Sequence, residues 1–509
     1  MISHKIPLTI PFLFFLAIVA PSAAQIHSDL WGEKGEKWTT KSRLPDFSYA
    51  GYHCGEIPLP QIEVVSDVTK FGAKGDGKTD CTEAFRAAIA ATEQGAIAIP
   101  AGRYLISDIL WIKKKSIVLR GAGPGKTILH FTKELKVVKP NPGATTSGRP
   151  TSNYSWSGGF IWVKGRFEEK SIAAITSESK RGTHQITLES SKEAASLEKG
   201  QWVVVEIRDD PQKTLLDHLY AGDAGDTDKI TTAVKTRLVS RIASIKGNEI
   251  TLERPLAFDI RKSWQAQLKN FHPKVSEVGI EDLSIDFPAK PYLGHFTERG
   301  MNGIAMNRVA HCWIKNVQIS NSDSGITLGG SIFTTIDGLI IDSKRSKHKG
   351  TTGHHGVSMA MDSLCQNFDF RTHFIHDIGL NYLNTGNVIK NGKGSNLSLD
   401  HHKKAPYANL FCNLDLGVGS EIWRSGGGKH LGKHSGARNT YWNIQAKQNI
   451  AWPPAGFAPD QINLIGVQSA TKSIKDPNGK WFETILPTKL RPIDLHAAQL
   501  KRRLDQQRK

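Results

Sequence analysis

From residue 278 onward, short apolar runs recur with polar turns between them. IEDLSIDF, WIKNVQISNSDSGITL, IDGLIIDS, QNFDFR, ANLFCNLDLG, TYWNIQ and INLIGVQ each end in Asp, Asn, Ser or Gly. Their separation varies over roughly 20 to 35 residues, the pattern of a solenoid whose coils carry loops of unequal length. A strand turns alternate side chains to opposite faces. Stacked coils therefore bury one face of every strand, and the outward faces are expected to form a long shallow groove that accommodates a polymer.

The earlier segments read differently. Residues 25–65 place Trp31, Trp38, Phe47 and Tyr49 among charges and Pro45, Pro58 and Pro60, which predicts an irregular arm packed over something else. Over 66–165 a turn at Gly72, Gly75 and Gly77 precedes a helix capped by Thr79 or Asp80, with Ala84, Phe85, Ala88 and Ile89 on one face. Strands are expected at Ala96–Ile99 and Tyr104–Ile106, with a turn at Pro100-Ala101-Gly102. No Gly-Lys-Ser/Thr follows the glycines at the spacing of a phosphate loop. Residues 166–275 alternate strictly, with turns at Lys199-Gly200 and Gly247-Asn248, and predict a small antiparallel β-domain. The main body resumes over 276–470, and the tail, 471–509, ends in a basic helix expected as a surface cap or a loose end.

Two of these stretches carry a resemblance. Phe71-Gly72-Ala73, Gly75-Asp76-Gly77 and Asp80, with Pro100-Ala101-Gly102 and Tyr104, resemble the opening of pectate-lyase-superfamily proteins. The resemblance covers about residues 66–130. It implies a right-handed parallel β-helix, in a superfamily of polysaccharide lyases and glycoside hydrolases. In that family the segment caps the β-helix, so it transfers no catalytic residue. The expected fold is all-β: a single-stranded right-handed parallel β-helix with the small antiparallel β-domain inserted.

Charge narrows the partner. The chain has 509 residues and a formal charge of +18, which favours a polyanion. Met1 to Lys5 are positively charged, Leu8 to Ala20 almost wholly apolar, and Ser22-Ala23-Ala24 small: a secretory signal peptide over 1–24 with cleavage near Ala24. A secreted or periplasmic protein is expected, with no membrane span. Export makes nucleic acid a poor partner and leaves acidic polysaccharide; oligomeric state is left open. Of five cysteines, Cys54 with Cys81 is a candidate disulfide, and Cys312, Cys365 and Cys412 read as buried hydrophobes.

The chemistry concentrates between Gly353 and Arg438, which holds His354, His355, His373, His376, His401, His402, His430 and His434. Parity places Val357, Met359 and Met361 inward and His354, Ser358 and Asp362 outward, unless Gly356 breaks the register. The same reading turns Ser398, Asp400 and His402 outward, Asn367, Asp369, Arg371 and His373 outward, and Leu410, Cys412, Leu414 and Leu416 inward. His355 and His401 become interior. Asp400 at i, i+2 from His402 can orient the imidazole.

This set suits β-elimination on a uronate, which needs the carboxylate neutralised, a base for the adjacent C–H, and an acid for the leaving oxygen. Candidate catalytic residues are His354, His402, Asp400, Arg424, His434 and Tyr407; Tyr382 is a second candidate acid. Candidate substrate-binding residues are Arg371, His373, Lys403, Lys429, Lys433 and Arg438, with Trp423 and Trp442 for stacking on sugars. Hydrolysis is the alternative and needs paired carboxylates. NSDSGI at 321–326 resembles the Asn-x-Asp-Gly-Ile turn of polygalacturonase-type hydrolases, interrupted by Ser324. A non-catalytic polysaccharide-binding β-helix is the third class. Calcium held by Asp and Asn oxygens is the first candidate cation, with no ligand set assigned; Asp223, Asp226 and Asp228 read as a solvated loop without EF-hand spacing.

Overall fold

In the computed structural model, residues 25–508 are described; the leader expected over 1–24 lies outside them. The dominant unit is a stack of coils joined by parallel pairing. One representative coil runs from Trp313–Ser320 through Ser324–Gly329, and the next repeats it at Thr335–Asp342 and His355–Met359. Trp313 pairs with Thr335 and Val317 with Leu339, all in parallel. Inward-facing Ile, Leu, Val and Phe from every coil form one continuous core, including Ile285, Ile319, Ile341, Phe370 and Leu399. This is a parallel β-helix.

Each coil turns a corner on a left-handed residue. Asp282, Asn316, Gly338, Asn367, Asn391, Asn413, Asn443 and Gly466 all have φ between 52° and 76°. Asn, Asp and Gly tolerate that conformation best. The corner amides also stack: Asn413 Nδ2 donates to Asn391 Oδ1 at 2.9 Å, and Asn443 Nδ2 to Asn413 Oδ1 at 3.0 Å. The corner resets side-chain parity. Phe411 and Leu414 therefore face the helix core, whereas Leu410, Cys412 and Trp442 face a second apolar layer on the outside. Strict alternation through Asn413 had placed Leu410 and Cys412 in the interior.

That outer layer is built by the two chain ends. Trp31, Trp38, Leu44 and Phe47 of the arm pack with Leu495 of the C-terminal helix over the coils. The helix, Leu495–Gln507, is capped by Asp494, whose carboxylate accepts from Ala497 N–H at 2.9 Å. Gln499 ties it to the arm through Phe47 N–H and Pro45 O, both at 2.9 Å. Lys390 reaches Asp494 at 2.8 Å. The tail is thus a packed lid on the coil stack. All five cysteines are buried and free, so Cys54 and Cys81 form no disulfide.

The segment after the first coils forms a six-stranded antiparallel sheet with its own core of Val203, Val205, Ile207, Leu238, Ile242 and Trp264. It docks on the β-helix through Leu383, Ala405 and Tyr407, which join that core. Arg254 from this sheet also forms a bidentate pair with Asp362 at 2.9 and 2.7 Å, and both are buried. Asp362, expected on the solvent face, instead fastens one unit to the other.

Seven strands make the sheet that carries the candidate site: β1 (Leu110–Ile112), β2 (Ile161–Lys164), β3 (Asn302–Asn307), β4 (Ser324–Gly329), β5 (His355–Met359), β6 (His376–Leu380) and β7 (Leu399–His401). All pairings are parallel and in sequence order. The outer face of this sheet is no open groove. Ala305 and Thr327 are buried. Segments 134–157 and 287–301 cross it, held to each other by Leu135 N–H to Gly300 O and to β3 by Asn302 Nδ2 to Tyr154 O at 2.9 Å. What stays open is a cleft over the β5–β7 end.

Candidate active site

The cleft has a volume of about 790 Å³ and is lined by His295, His354, His355, His376 and His402. Trp156 and Phe296 close one side, Lys229 of the antiparallel domain and Lys429 another, and the glycines 426–428 a third. No Asp or Glu lines it among the described residues.

Register explains why the imidazoles meet. Ser324, His355 and His376 are paired across β4, β5 and β6. Pairing skips the next position and resumes at Ile326, Val357 and Ile378. The skipped position holds Gly303, Gly325 and Gly356 in successive coils, each of whose absent Cβ would meet the carbonyl of the next coil within 2.4 to 2.6 Å. Only glycine fits there. The local bend turns both Gly356 and Val357 toward the core, so alternation breaks at this point. His355 therefore enters the cleft instead of the interior, where unbroken alternation had put it. His354 and His355 rings lie 4.0 Å apart, His355 and His376 5.0 Å, and His354 and His376 5.3 Å.

One row deeper, Ser358, Gly379 and Asp400 align. Asp400 is almost wholly buried. Its Oδ2 lies 2.8 Å from His402 Nδ1 and 3.2 Å from His376 Nδ1, and its Oδ1 accepts from Gly426 N–H at 2.7 Å. A Cβ at Gly426 would come within 2.5 Å of His402 Cε1. The glycine-rich loop is thus required to lie directly on the pair. Burial by itself would raise the Asp400 carboxyl, but His376 and His402 beside it, with the Gly426 N–H, hold it far below the ordinary carboxylate range. Burial opposes charge on His402 as well, yet the Asp400 carboxylate overrides it and raises the imidazole above its usual value. His402 keeps a third of its side chain open to the cleft.

The other imidazoles are held neutral. Desolvation, then the neighbouring histidines, push His354 and His355 well below the usual value. Desolvation also lowers His376, and lowers His295 to about 4. Glu298 lies behind His354, 3.4 Å from its Nδ1, and accepts from Tyr292 Oη at 2.7 Å.

The structure scatters the remaining sequence candidates. Lys429 lines the cleft. Arg424 sits on the same glycine-rich loop, 3.4 Å from Glu421. Lys403 donates to Gly432 O at 2.8 Å, and Lys433 pairs with Asp223, so both tie that loop down. His434 lies outside the cleft lining, its Nδ1 buried without a partner. Trp423 packs edge-on to Tyr441 and against Phe457, each at 5.0 Å. Arg371 pairs with Asp369 on another face, and His373 with Asp377, each at 2.9 Å. Three candidates are misplaced outright. Tyr407 is buried under the antiparallel domain, 2.7 Å from Thr236 Oγ1. Trp442 is buried in the outer layer and donates to Pro492 O at 2.7 Å. Arg438 lines a small separate cavity with Arg181 and Thr40. Tyr382 is exposed, with Lys404 over its ring, but does not line the cleft. His401 is in the core, held by Leu399 O at 2.8 Å.

Two cleft histidines escaped the sequence reading. His295 stands alone on the crossing segment 287–301, some sixty positions before the cluster, and no periodicity marks it. His376 precedes Ile378 and Leu380 at core parity, and only the ladder with His355 shows where it points. Asp323, the hydrolase-like carboxylate, is fully buried. It accepts from Arg299, Gly300 and Met301 N–H and pairs with Arg345 at 2.7 Å, pinning the segment that carries His295.

Calcium does not fit the cleft. Calcium takes six to eight oxygens, and this lining offers imidazoles with no accessible carboxylate. Asp226 is taken by His430 at 2.5 Å and Asp223 by Lys433.

Residues 65–159 match the family described as rhamnogalacturonase A/epimerase, pectate lyase-like. Over that stretch the chain resembles pectate-lyase-like proteins, and its coils form a parallel β-helix. The matched stretch opens the β-helix and precedes all of the cleft's histidines. Alginate lyase 7 of Azotobacter vinelandii is 42% identical over 74 residues, covering 13% of this chain and 9% of that protein. The chain thus spans under a tenth of the curated relative it matches. Among solved structures, this β-helix is similar to the tailspike gp49 of Pseudomonas phage LKA1, with 14% identity, a TM-score of 0.39, and coverage of 81% of this chain and 68% of that one. It is also similar to the A-module of the A. vinelandii mannuronan C-5 epimerase AlgE6, with 12% identity, a TM-score of 0.33, and coverage of 79% and 75%. No helix among the described residues is long and apolar enough to cross a membrane.

Proposed function

We propose that this protein cleaves an acidic, uronate-containing polysaccharide by β-elimination. The Asp400–His402 pair carries the reading. With Nδ1 engaged by Asp400, the free Nε2 of His402 is the nitrogen available to the cleft. A neutral His402 takes the proton next to the uronate carboxylate. The C–H electron pair forms the new double bond, and the glycosidic oxygen departs with its electrons and takes a proton from the His402 imidazolium just formed. Lys229 and Lys429 are the lysines of the cleft wall and supply positive charge to the substrate carboxylate, whose charge rises as the proton leaves. Trp156 offers a ring for sugar stacking. The local similarity to an alginate lyase supports a uronate polymer as substrate class. A leader at 1–24 would deliver the enzyme to polysaccharide outside the cytoplasm.

Hydrolysis by the usual route needs two carboxyl groups flanking the bond. Asp323 is buried in a structural network, and Asp400 is covered by the Gly426 loop. The cleft therefore favours elimination. The test incubates the protein with pectate, alginate, ulvan and glycosaminoglycans and follows the ultraviolet absorbance of the conjugated double bond. Absorbance is expected with at least one polymer. New reducing ends without it would overturn the reading. His402→Ala is expected to lower kcat by about 10²–10⁴-fold, the usual contribution of a positioned base.

A further inference from the structure

We infer that His295, His354 and His376 form a binding site for a divalent transition-metal ion, at the wall of the cleft facing the Asp400–His402 pair. One imidazole nitrogen from each of the three lies within 4.8 Å of the other two. The His295 and His354 rings are 4.4 Å apart and edge-on, and His295 and His376 are 6.0 Å apart. A tetrahedral ion with bonds of about 2.0–2.1 Å would bring these nitrogens to about 3.4 Å from one another. His295 stands on a crossing segment and is only partly buried, so rotation of its ring can close the set.

Unmet hydrogen bonding is the second, independent observation. His376 is 4% exposed, yet neither of its ring nitrogens has a hydrogen-bond partner, and His354 Nδ1 is likewise buried and unpartnered. Buried polar atoms are ordinarily satisfied, and leaving several orphaned within one contact shell costs stability. A cation bound through Nε2 would satisfy that nitrogen of His376 and leave an N–H at Nδ1 of His354 and His376 facing a carboxylate. Carboxylates stand where outer partners of metal-bound histidines are found: Glu298 Oε1 is 3.4 Å from His354 Nδ1, and Asp400 Oδ2 is 3.2 Å from His376 Nδ1. Nitrogen donors favour zinc or a neighbouring first-row ion over calcium or magnesium.

His376, Asp400 and His402 form a second close set that shares His376. The Asp400 oxygens are already engaged by His402 and Gly426 N–H, so the ion is assigned to the first set. The assignment uses the cleft but not the elimination reading, and its test contains no polysaccharide. Metal-stripped full-length protein is titrated with Zn²⁺ by calorimetry and with Co²⁺ by visible absorption. One equivalent is expected, with cobalt bands of nitrogen coordination. His295→Ala and His376→Gln should each abolish stoichiometric binding, and Glu298→Gln should weaken it by about 10–100-fold. Asp400→Asn should weaken it by no more than that factor, and His430→Ala should retain the site in full. His295→Ala alters a partly exposed position, so its loss of binding is read on folded protein, checked by circular dichroism. No binding by the native protein, or binding that survives His295→Ala but fails in Asp400→Asn, would overturn the assignment.

Discussion

Asn387, Asn409 and Asn439 stack along one corner of the β-helix, fully buried, and every step of the column is bonded. Asn387 Nδ2 donates to Asn409 Oδ1 at 2.9 Å, and Asn409 Nδ2 to Asn439 Oδ1 at 3.0 Å. The amides also bond backbone carbonyls of Ala360, Tyr407 and Pro406. Along the site sheet, His355 and His376 stack in the same way, one per coil, yet His355 Nδ1 and both nitrogens of His376 make no hydrogen bond, although Asp400 Oδ2 stands 3.2 Å from His376 Nδ1. Both columns are buried, and their hydrogen bonding is opposite. A satisfied column defines register and holds coils together. An unsatisfied column stabilises nothing by itself and keeps donor and acceptor capacity for a ligand.

The largest effect is expected at the buried pair between the two units. Asp362→Ala leaves Arg254 charged, buried and unpaired, and should lower stability by about 3–5 kcal/mol in urea unfolding. A loss under 1 kcal/mol would mean that satisfied networks here are not structural. Next, Asn409→Ala removes the middle of the amide column and strands Asn387 and Asn439. The expected cost is about 1–3 kcal/mol, with activity per folded molecule unchanged.

Acid should weaken the fold through buried histidines outside the site. His311 and His496 are lowered to about 3, chiefly by burial. Below the ordinary value of 6.5 the unfolded chain binds their protons and the folded chain does not. Stability is therefore full above that pH and falls toward pH 3, by up to about 1.4 kcal/mol per pH unit for each histidine. Denaturant midpoints at pH 7, 6 and 5 check the sign. The smallest effect belongs to the unsatisfied column. His355→Leu in metal-free protein should leave stability unchanged within about 1 kcal/mol or raise it, because the histidine has an unmet buried nitrogen to lose. A larger loss would show that the imidazole does structural work.

Much of the β-helix was legible in the chain, and the candidate site only in part. The capping segment, the recurring apolar runs and the Asn/Gly turns all report local backbone preference, which acts within a few residues. Parity carried the reading from strand to site, and it failed at two kinds of position. Left-handed corners such as Asn413 sent Cys412 to the outer layer. The Gly356 bend sent His355 into the cleft. Both resets are backbone events that alternation cannot register.

What the sequence determined, then, is the repeated element: strand-length apolar runs, corner residues that tolerate positive φ, and a histidine-rich stretch joining Asp400 to His402 at i, i+2. The tertiary structure alone decided which side chains share a cleft. His295 joins His354 and His376 because segment 287–301 crosses the sheet, and Lys229 arrives from another unit. Tyr407, Trp442 and Arg438 are near in sequence and absent from it. The reason is physical. Coil stacking brings together residues one whole turn apart, and the number of residues in a turn is set by loops whose length no local preference encodes.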